Sequence, residues 1–322
     1  MKRLIYLTTL LTCLGMMSTY AAKWRVNNSG IQADFSSASA AANSPLVSAG
    51  DTLYFESSTF SYGSLDLTKR LVIIGPGYFL GENDSTQANP QTAVLDGFAF
   101  TLGSDGTIVK GMTLDGWVSI GDGNNAVSNI TLERNNIGNL AVYRGNGHVF
   151  LRNYISNIGL QNCNNVLLSN NIVTRQGSNG YPSISMNNSA SAMIVNNIFL
   201  GHVFIVNSVF RNNICTYSPM PGVFVASNCV IENNLGASTQ FETSNGNQQN
   251  VDMSTVFIVT GSTDGKYRLK PGSPAIAAGA GGTDCGVYGG NYPYVPSGMV
   301  AGPSVWYMNM NGIDVTVKAK SH

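Results

Sequence analysis

The 322-residue chain carries 17 basic and 17 acidic residues, for a formal net charge of zero, and only 11% of its residues are charged. This balance excludes a nucleic-acid binder, which needs an excess of Lys and Arg to neutralise phosphates, and it leaves no basic anchor for an anionic membrane surface. The 43% hydrophobic content and 36 glycines suit short strands and tight turns better than a helical protein, and the length permits one elongated all-β domain.

In chain order, residues 1–22 place Lys2 and Arg3 before an apolar run and then small residues, the layout of a secretory signal peptide cut after Ala21 or Ala22. A lipoprotein reading would instead use Cys13. Either way the chain is expected to work outside the cytoplasm, as a secreted, periplasmic or cell-surface protein. No later stretch has the roughly 20 continuous apolar residues of a membrane helix. The Ala/Ser-rich stretch from Ile31 to Ala42 predicts a short helix laid over the open end of a stack of strands, and Thr52–Phe55 predicts a strand.

From Glu133 onward the chain repeats one local phrase: ERNNI, LRNYI, SNNIV, VNNIF, FRNNI and ENNLG. Taking the first asparagine of each unit gives Asn135, Asn153, Asn170, Asn196, Asn212 and Asn233, at spacings of 18, 17, 26, 16 and 21. Three residues earlier stand Leu132, Phe150, Leu167, Met193, Val209 and Val230, and two residues later Ile137, Ile155, Ile172, Ile198, Ile214 and Leu235. A fixed local pattern with a variable period describes strand-turn-strand units that carry loops of different length, which is a solenoid. Weaker copies at Gly111 and Gly75 bring the count to eight coils. Stacked at about 4.8 Å, the asparagine column forms a ladder whose amides satisfy one another and the turn backbone.

The stretch from Tyr267 to Gly290 mixes Pro, Gly and Ala, and is expected to be the terminal coil and its cap. The tail is Pro/Gly-rich to Ser304, after which Ile313–Lys318 alternates like a strand. The expected organisation is therefore a leader (1–22), a solenoid (23–290) and a strand-bearing tail (291–322). Cys163, Cys215, Cys229 and Cys285 are either disulfide partners or small buried hydrophobes; Cys215 and Cys229 are the nearest pair in sequence.

Three features carry a resemblance: GDTLYF after the capping helix, LVIIGPGYFLGEN at Leu71 to Asn83, and the NNI repeats. KPGSPAIAAGAGGTDCGVYGG adds a similar closing segment. On these the chain resembles right-handed parallel β-helix proteins of the pectate-lyase-like class, and more narrowly secreted β-helix proteins of Bacteroidetes. The resemblance implies an all-β right-handed parallel β-helix that acts on, or binds, an acidic extracellular polysaccharide, at best as a polysaccharide lyase. The aspartate cluster that a polygalacturonase-like hydrolase needs is missing, and GNGHV at Gly145 to Val149 is only a loose echo of its histidine segment.

A lyase needs a base beside a sugar carboxylate and a positive charge to hold the anion that forms. The residues just before the asparagines are Lys110, Arg134, Arg152, Ser169, Val195, Arg211 and Glu232. The first three form a basic row on consecutive coils, and Arg211 above Glu232 reads as a surface ion pair. Arg152 or His148 is the candidate base, with Lys110, Arg134, Arg152, Tyr143 and Arg144 as glycan ligands and Trp117 and Tyr181 as stacking platforms. The acids are scattered, so no metal or other cofactor is implied; calcium at the GDGNN turn (Gly121 to Asn125) stays open. A monomer is expected, with a non-catalytic surface or adhesion scaffold as the alternative function.

Overall fold

A computed structural model describes residues 21–83, 86–87, 89–176, 182–187, 189–217 and 224–299, together with the backbone of 303–311 and 314–321. Most of the predicted leader and Tyr181 lie outside these residues. The chain is a right-handed parallel β-helix. Its first sheet has ten parallel strands: Lys23–Val26, Thr52–Phe55, Val72–Ile74, Ile108–Lys110, Thr131–Glu133, Val149–Leu151, Val166–Ser169, Ala192–Val195, Val209–Arg211 and Val230–Glu232. Each coil then turns a corner into a second sheet of twelve strands. There, long strands such as Thr113–Ile120, Asn136–Val142 and Tyr154–Leu160 give way in later coils to two short ones, Ile172–Val173 with Ile184–Met186 and Ile198–Phe199 with Val203–Val206.

Alternation fills the interior. Leu132, Phe150, Leu168, Ile194 and Phe210 stack inward from the first sheet, while Leu114, Ile137, Ile155, Val173 and Phe199 stack inward from the second. Two N-terminal strands precede the expected coils; Thr52–Phe55 is the one the sequence predicts. The capping helix spans only Ala38–Asn43, N-capped by Ser37, with Ala38, Ala41 and Ala42 buried. The predicted helix begins seven residues too early because residue 35 is extended, with Phe35 bridged to Val26, while Asp34 accepts from the Arg25 N–H.

The asparagine ladder exists: Asn135 and Asn153 stand in it as expected, and from the third unit on it lies one residue after the predicted position. It runs Asn135, Asn153, Asn171, Asn197, Asn213, Asn234 and Asn247. In each step Oδ1 accepts from the backbone N–H and the Nδ2 of the preceding coil's asparagine; Asn171 Oδ1, for example, lies 2.9 Å from Asn153 N and 3.0 Å from Asn153 Nδ2. Every Nδ2 also donates to a strand carbonyl, as Asn171 does to Phe150 O at 2.8 Å. Asn170, Asn196, Asn212 and Asn233 instead occupy the preceding position, a left-handed corner with φ of 54–57° that Asn tolerates better than most residues. Gly111, Arg134 and Arg152 hold that same corner in the earlier coils, with φ of 66°, 56° and 57°.

A one-residue slip reverses every side chain. Leu167, Met193, Val209 and Val230, the later members of the apolar column three residues before the asparagines, therefore face outward, with Met193 52% exposed. The predicted row Ile172, Ile198, Ile214 and Leu235 also points out of the solenoid, yet it is buried in a second hydrophobic cluster with Val256, Phe257, Tyr267, Ala275, Cys285, Val287 and Tyr294.

That second core corrects the expected terminal coil. Instead of adding another coil to the stack, residues 279–299 run back along the outside of the left-handed corner as a strap. Ala280 N donates to Asn212 Oδ1, Asn196 Nδ2 donates to Asp284 O, and Asn170 Nδ2 donates to both Val287 O and Gly289 O. The strap ends against the early coils at a buried hub. Asp264 accepts hydrogen bonds from Asn83 Nδ2 (3.1 Å), Ser262 Oγ (3.0 Å), Tyr294 OH (3.2 Å) and Ser297 N (2.7 Å). Tyr78 and Tyr294 share a hydrogen bond of 2.6 Å, and burial raises both phenol pKa values well above the ordinary range. Gly298 (φ 57°) is required here, because a Cβ would sit 2.6 Å from the Arg134 carbonyl oxygen. The tail beyond is a two-stranded antiparallel hairpin, Pro303–Asn311 with Asp314–Ser321, which encloses most of the predicted strand.

All four described cysteines are free thiols, with Cys163, Cys215 and Cys285 buried. Burial pushes the Cys163 and Cys285 thiols up to about 12.

Candidate functional site

The predicted basic row is not a row. Lys110 shares a register position with Glu133, while Arg134 and Arg152 stand one residue later, in the corner. Lys110 Nζ lies 2.7 Å from Glu133 Oε2, and Arg134 Nε and Arg152 Nη1 approach Glu133 Oε1 at 3.6 and 3.7 Å. The strap roofs the cluster: Arg134 Nη1 donates to Met299 O, and Arg152 lies under the Tyr292 ring at 5.5 Å. The two arginine side chains are only 14% and 15% exposed. A polymer therefore has no open groove across Lys110, Arg134 and Arg152. Arg211 and Glu232 do form the expected ion pair, in register on the first sheet.

His148 and Arg152 sit at opposite ends of Val149–Leu151, so the two candidate bases do not converge. His148 is fully buried; its Nδ1 accepts from Ile130 N at 3.3 Å and its ring stacks on Phe150. Burial lowers its pKa from 6.5 to about 4, against a small opposing pull from Asp105. The folded state thus excludes a proton that the unfolded chain binds. The associated stability is present above pH 6.5 and is lost as pH falls towards 4, by up to about 3 kcal/mol. Urea unfolding midpoints measured across that window should fall for the native chain and fall less for His148→Leu; equal slopes would show that His148 is not the group responsible.

At the GDGNN turn, Asp122 Oδ1 accepts from Asn124 N and Asn125 N, both at 2.7 Å. Asn125 Nδ2 donates to its Oδ2 at 2.9 Å, and this bond, followed by the two backbone bonds, lowers the pKa of a carboxylate committed to the turn. Among the described residues no three His, Cys, Asp or Glu side chains converge.

An open face is found on the second sheet instead. Trp117, Asn139 and Asn157 share one outward register position on consecutive coils, with Trp117 53% exposed. Arg175 continues the row, its Nη1 reaching back to Asn157 Oδ1 at 3.3 Å and Asn139 Oδ1 at 3.5 Å. Two residues along each strand lies a floor of small side chains: Ala99, Ser119, Ala141, Gly159 and Ser185, all in register. Two residues further, Tyr143 and Gln161 form the opposite wall, held by Tyr143 N to Ile120 O and Gln161 N to Val142 O. Walls four residues apart on a strand are separated by roughly 13 Å. The result is a shallow trough along the solenoid axis, with the Trp117 ring and the Asn139 and Asn157 amides on one side and the Tyr143 ring and the Gln161 amide on the other.

Tyr143 is thus the predicted ligand residue that the fold places at an open surface, with Arg144 exposed beside it. Asn139 and Asn157, within strands, and Gln161 and Arg175, just past strand ends, escape a motif search because they lie outside the NNI phrase. Their signal is the polar residue in an outward strand position 18 residues from the next, which becomes visible only once the register is right. No family model matches this chain, and no curated protein and no solved structure matches it.

Proposed function

We propose that this is a secreted solenoid that binds an extracellular polysaccharide along the second-sheet trough. The observation that carries this reading is Trp117, a large ring exposed in the middle of a sheet and stacked in register on Asn139 and Asn157. Flat indole and phenol rings match the apolar faces of sugar rings, and side-chain amides offer both donors and acceptors to hydroxyls. A repeat of about 4.8 Å per coil close to the length of one pyranose unit supports a polymer lying along the axis. The charge on this face is mixed, with exposed Asp96 and Asp115 beside Trp117 and Arg144 beyond Tyr143. That mixture suits a neutral or sparsely charged chain better than a densely acidic one. The leader-like residues 1–22 support export.

Affinity electrophoresis through gels cast with a panel of neutral and acidic polysaccharides tests the reading. At least one polymer should retard the protein, and Trp117→Ala should weaken that binding by roughly tenfold to a hundredfold, equivalent to about 1–3 kcal/mol, with an unchanged melting temperature. Absence of retardation across the panel would leave the non-catalytic scaffold as the better account; equal retardation of Trp117→Ala would remove the trough.

A further inference from the structure

The corner cluster carries more positive charge than its surroundings balance. Lys110, Arg134 and Arg152 share one carboxylate, and Glu133 makes a close contact only with the lysine. Separations of 3.6 and 3.7 Å from Oε1 are too long to be hydrogen bonds, and the Nε atoms of both arginines are buried with no acceptor. A buried guanidinium nitrogen left without an acceptor is costly, and two such groups on adjacent coils repel. Backbone conformation sharpens the point. The four following coils put asparagine in this left-handed position, whereas these two accept the strain of arginine there. Burial, and after it the charge of Arg152, lower the Arg134 pKa, in keeping with a cluster short of negative charge.

We infer that Arg134 and Arg152, with Lys110 beside them, form a binding site for a small oxyanion between the left-handed corner and the strap. Guanidinium forks match the oxygens of sulfate, phosphate or a carboxylate group. Tyr292 over Arg152 and the Met299 carbonyl on Arg134 limit the site to something the size of one such group. The oxyanion would come either as a free ion or as the charged substituent of a sugar. This inference is independent of the trough, which lies on a different face of the coil.

Thermal unfolding of the full chain decides it. Sulfate replaces chloride at constant ionic strength in the low-millimolar range, and a sulfated disaccharide is used in a parallel arm. The melting temperature should rise saturably, by roughly 2 °C for each tenfold excess over Kd. Arg152→Gln should abolish the rise, while Arg25→Gln, in an exposed ion pair near the N-terminal end, should keep it. A matching rise with the disaccharide would assign the site to sugar-borne groups; a rise with sulfate alone would assign it to the free ion. A linear, non-saturating rise in all three proteins would be general salt exclusion and would overturn the proposal, as would identical curves in sulfate and chloride. If Arg152→Gln fails to fold, equilibrium dialysis of labelled sulfate against the native chain replaces it: one bound ion supports the site, and none overturns it.

Discussion

Asn171→Ala is expected to destabilise the chain by about 3–5 kcal/mol, while Asn170→Gly, one residue away, costs far less. Asn171 is fully buried, and removing its amide takes a donor from the Phe150 carbonyl and leaves the Asn153 N–H without its acceptor. It also removes the acceptor to which Asn153 Nδ2 donates and the donor to Asn197 Oδ1, so the ladder breaks in both directions. At Asn170 the glycine variant keeps the left-handed backbone at no steric cost and loses the two bonds to the strap and the one accepted from Ser169 Oγ, none of them part of the ladder. Guanidinium unfolding of the two variants separates the columns. If Asn170→Gly proved the more damaging, the ladder assignment would be wrong and the predicted register would be restored.

The second large effect is expected at Asp264. Its carboxyl collects donors from Asn83 and Ser262 and from the strap residues Tyr294 and Ser297, all in a buried setting. In Asp264→Asn a donating amide replaces one oxygen and faces the donors that oxygen accepted from, Tyr294 OH and Ser297 N at Oδ2 or Asn83 Nδ2 and Ser262 Oγ at Oδ1. The loss should be about 3–5 kcal/mol and should fall first on the strap, whose opening is local. Cys285 reports it. This thiol is buried under the strap's own packing, with a pKa near 12 and its Sγ donating to Asn233 O. Alkylation at Cys285, followed by peptide mapping, should speed up by roughly tenfold to a hundredfold, while Cys163 inside the solenoid stays protected. Equal protection of Cys285 in both proteins would mean that the hub does not hold the strap.

The parallel β-helix was legible because its signals are local. Each NNI phrase carries its own strand, corner and strand, and six copies fix the architecture whatever the loop lengths. Register was not legible. The first two units write Arg-Asn where the later ones write Asn-Asn, so aligning on the first asparagine puts Arg134 and Arg152 one place too early. True ladder steps of 18 and 18 then read as 18 and 17. An outward isoleucine row buried under a strap also looks like an inward one, since burial by a segment a hundred residues away leaves no local trace. His148 shows the same limit: its chain neighbours do not reveal that the coil folds it inside against Ile130. The trough was legible only in part, through Trp117 and Tyr143, because its floor is defined by what small residues leave open.

The strap has a consequence for how the molecule is made and lost. A stack of coils whose neighbours touch only each other can grow one rung at a time and fray from either end. Here the last part of the chain to leave the ribosome before the hairpin is stitched across coils formed much earlier, joining Tyr294 to Tyr78 and Ser297 to Asn83. Those bonds span more than 200 residues of sequence, so they can form only after the rungs between them are in place. Closure then comes as a late, long-range event of the kind that slows folding, and once made it couples early and late rungs so that neither end can unravel alone.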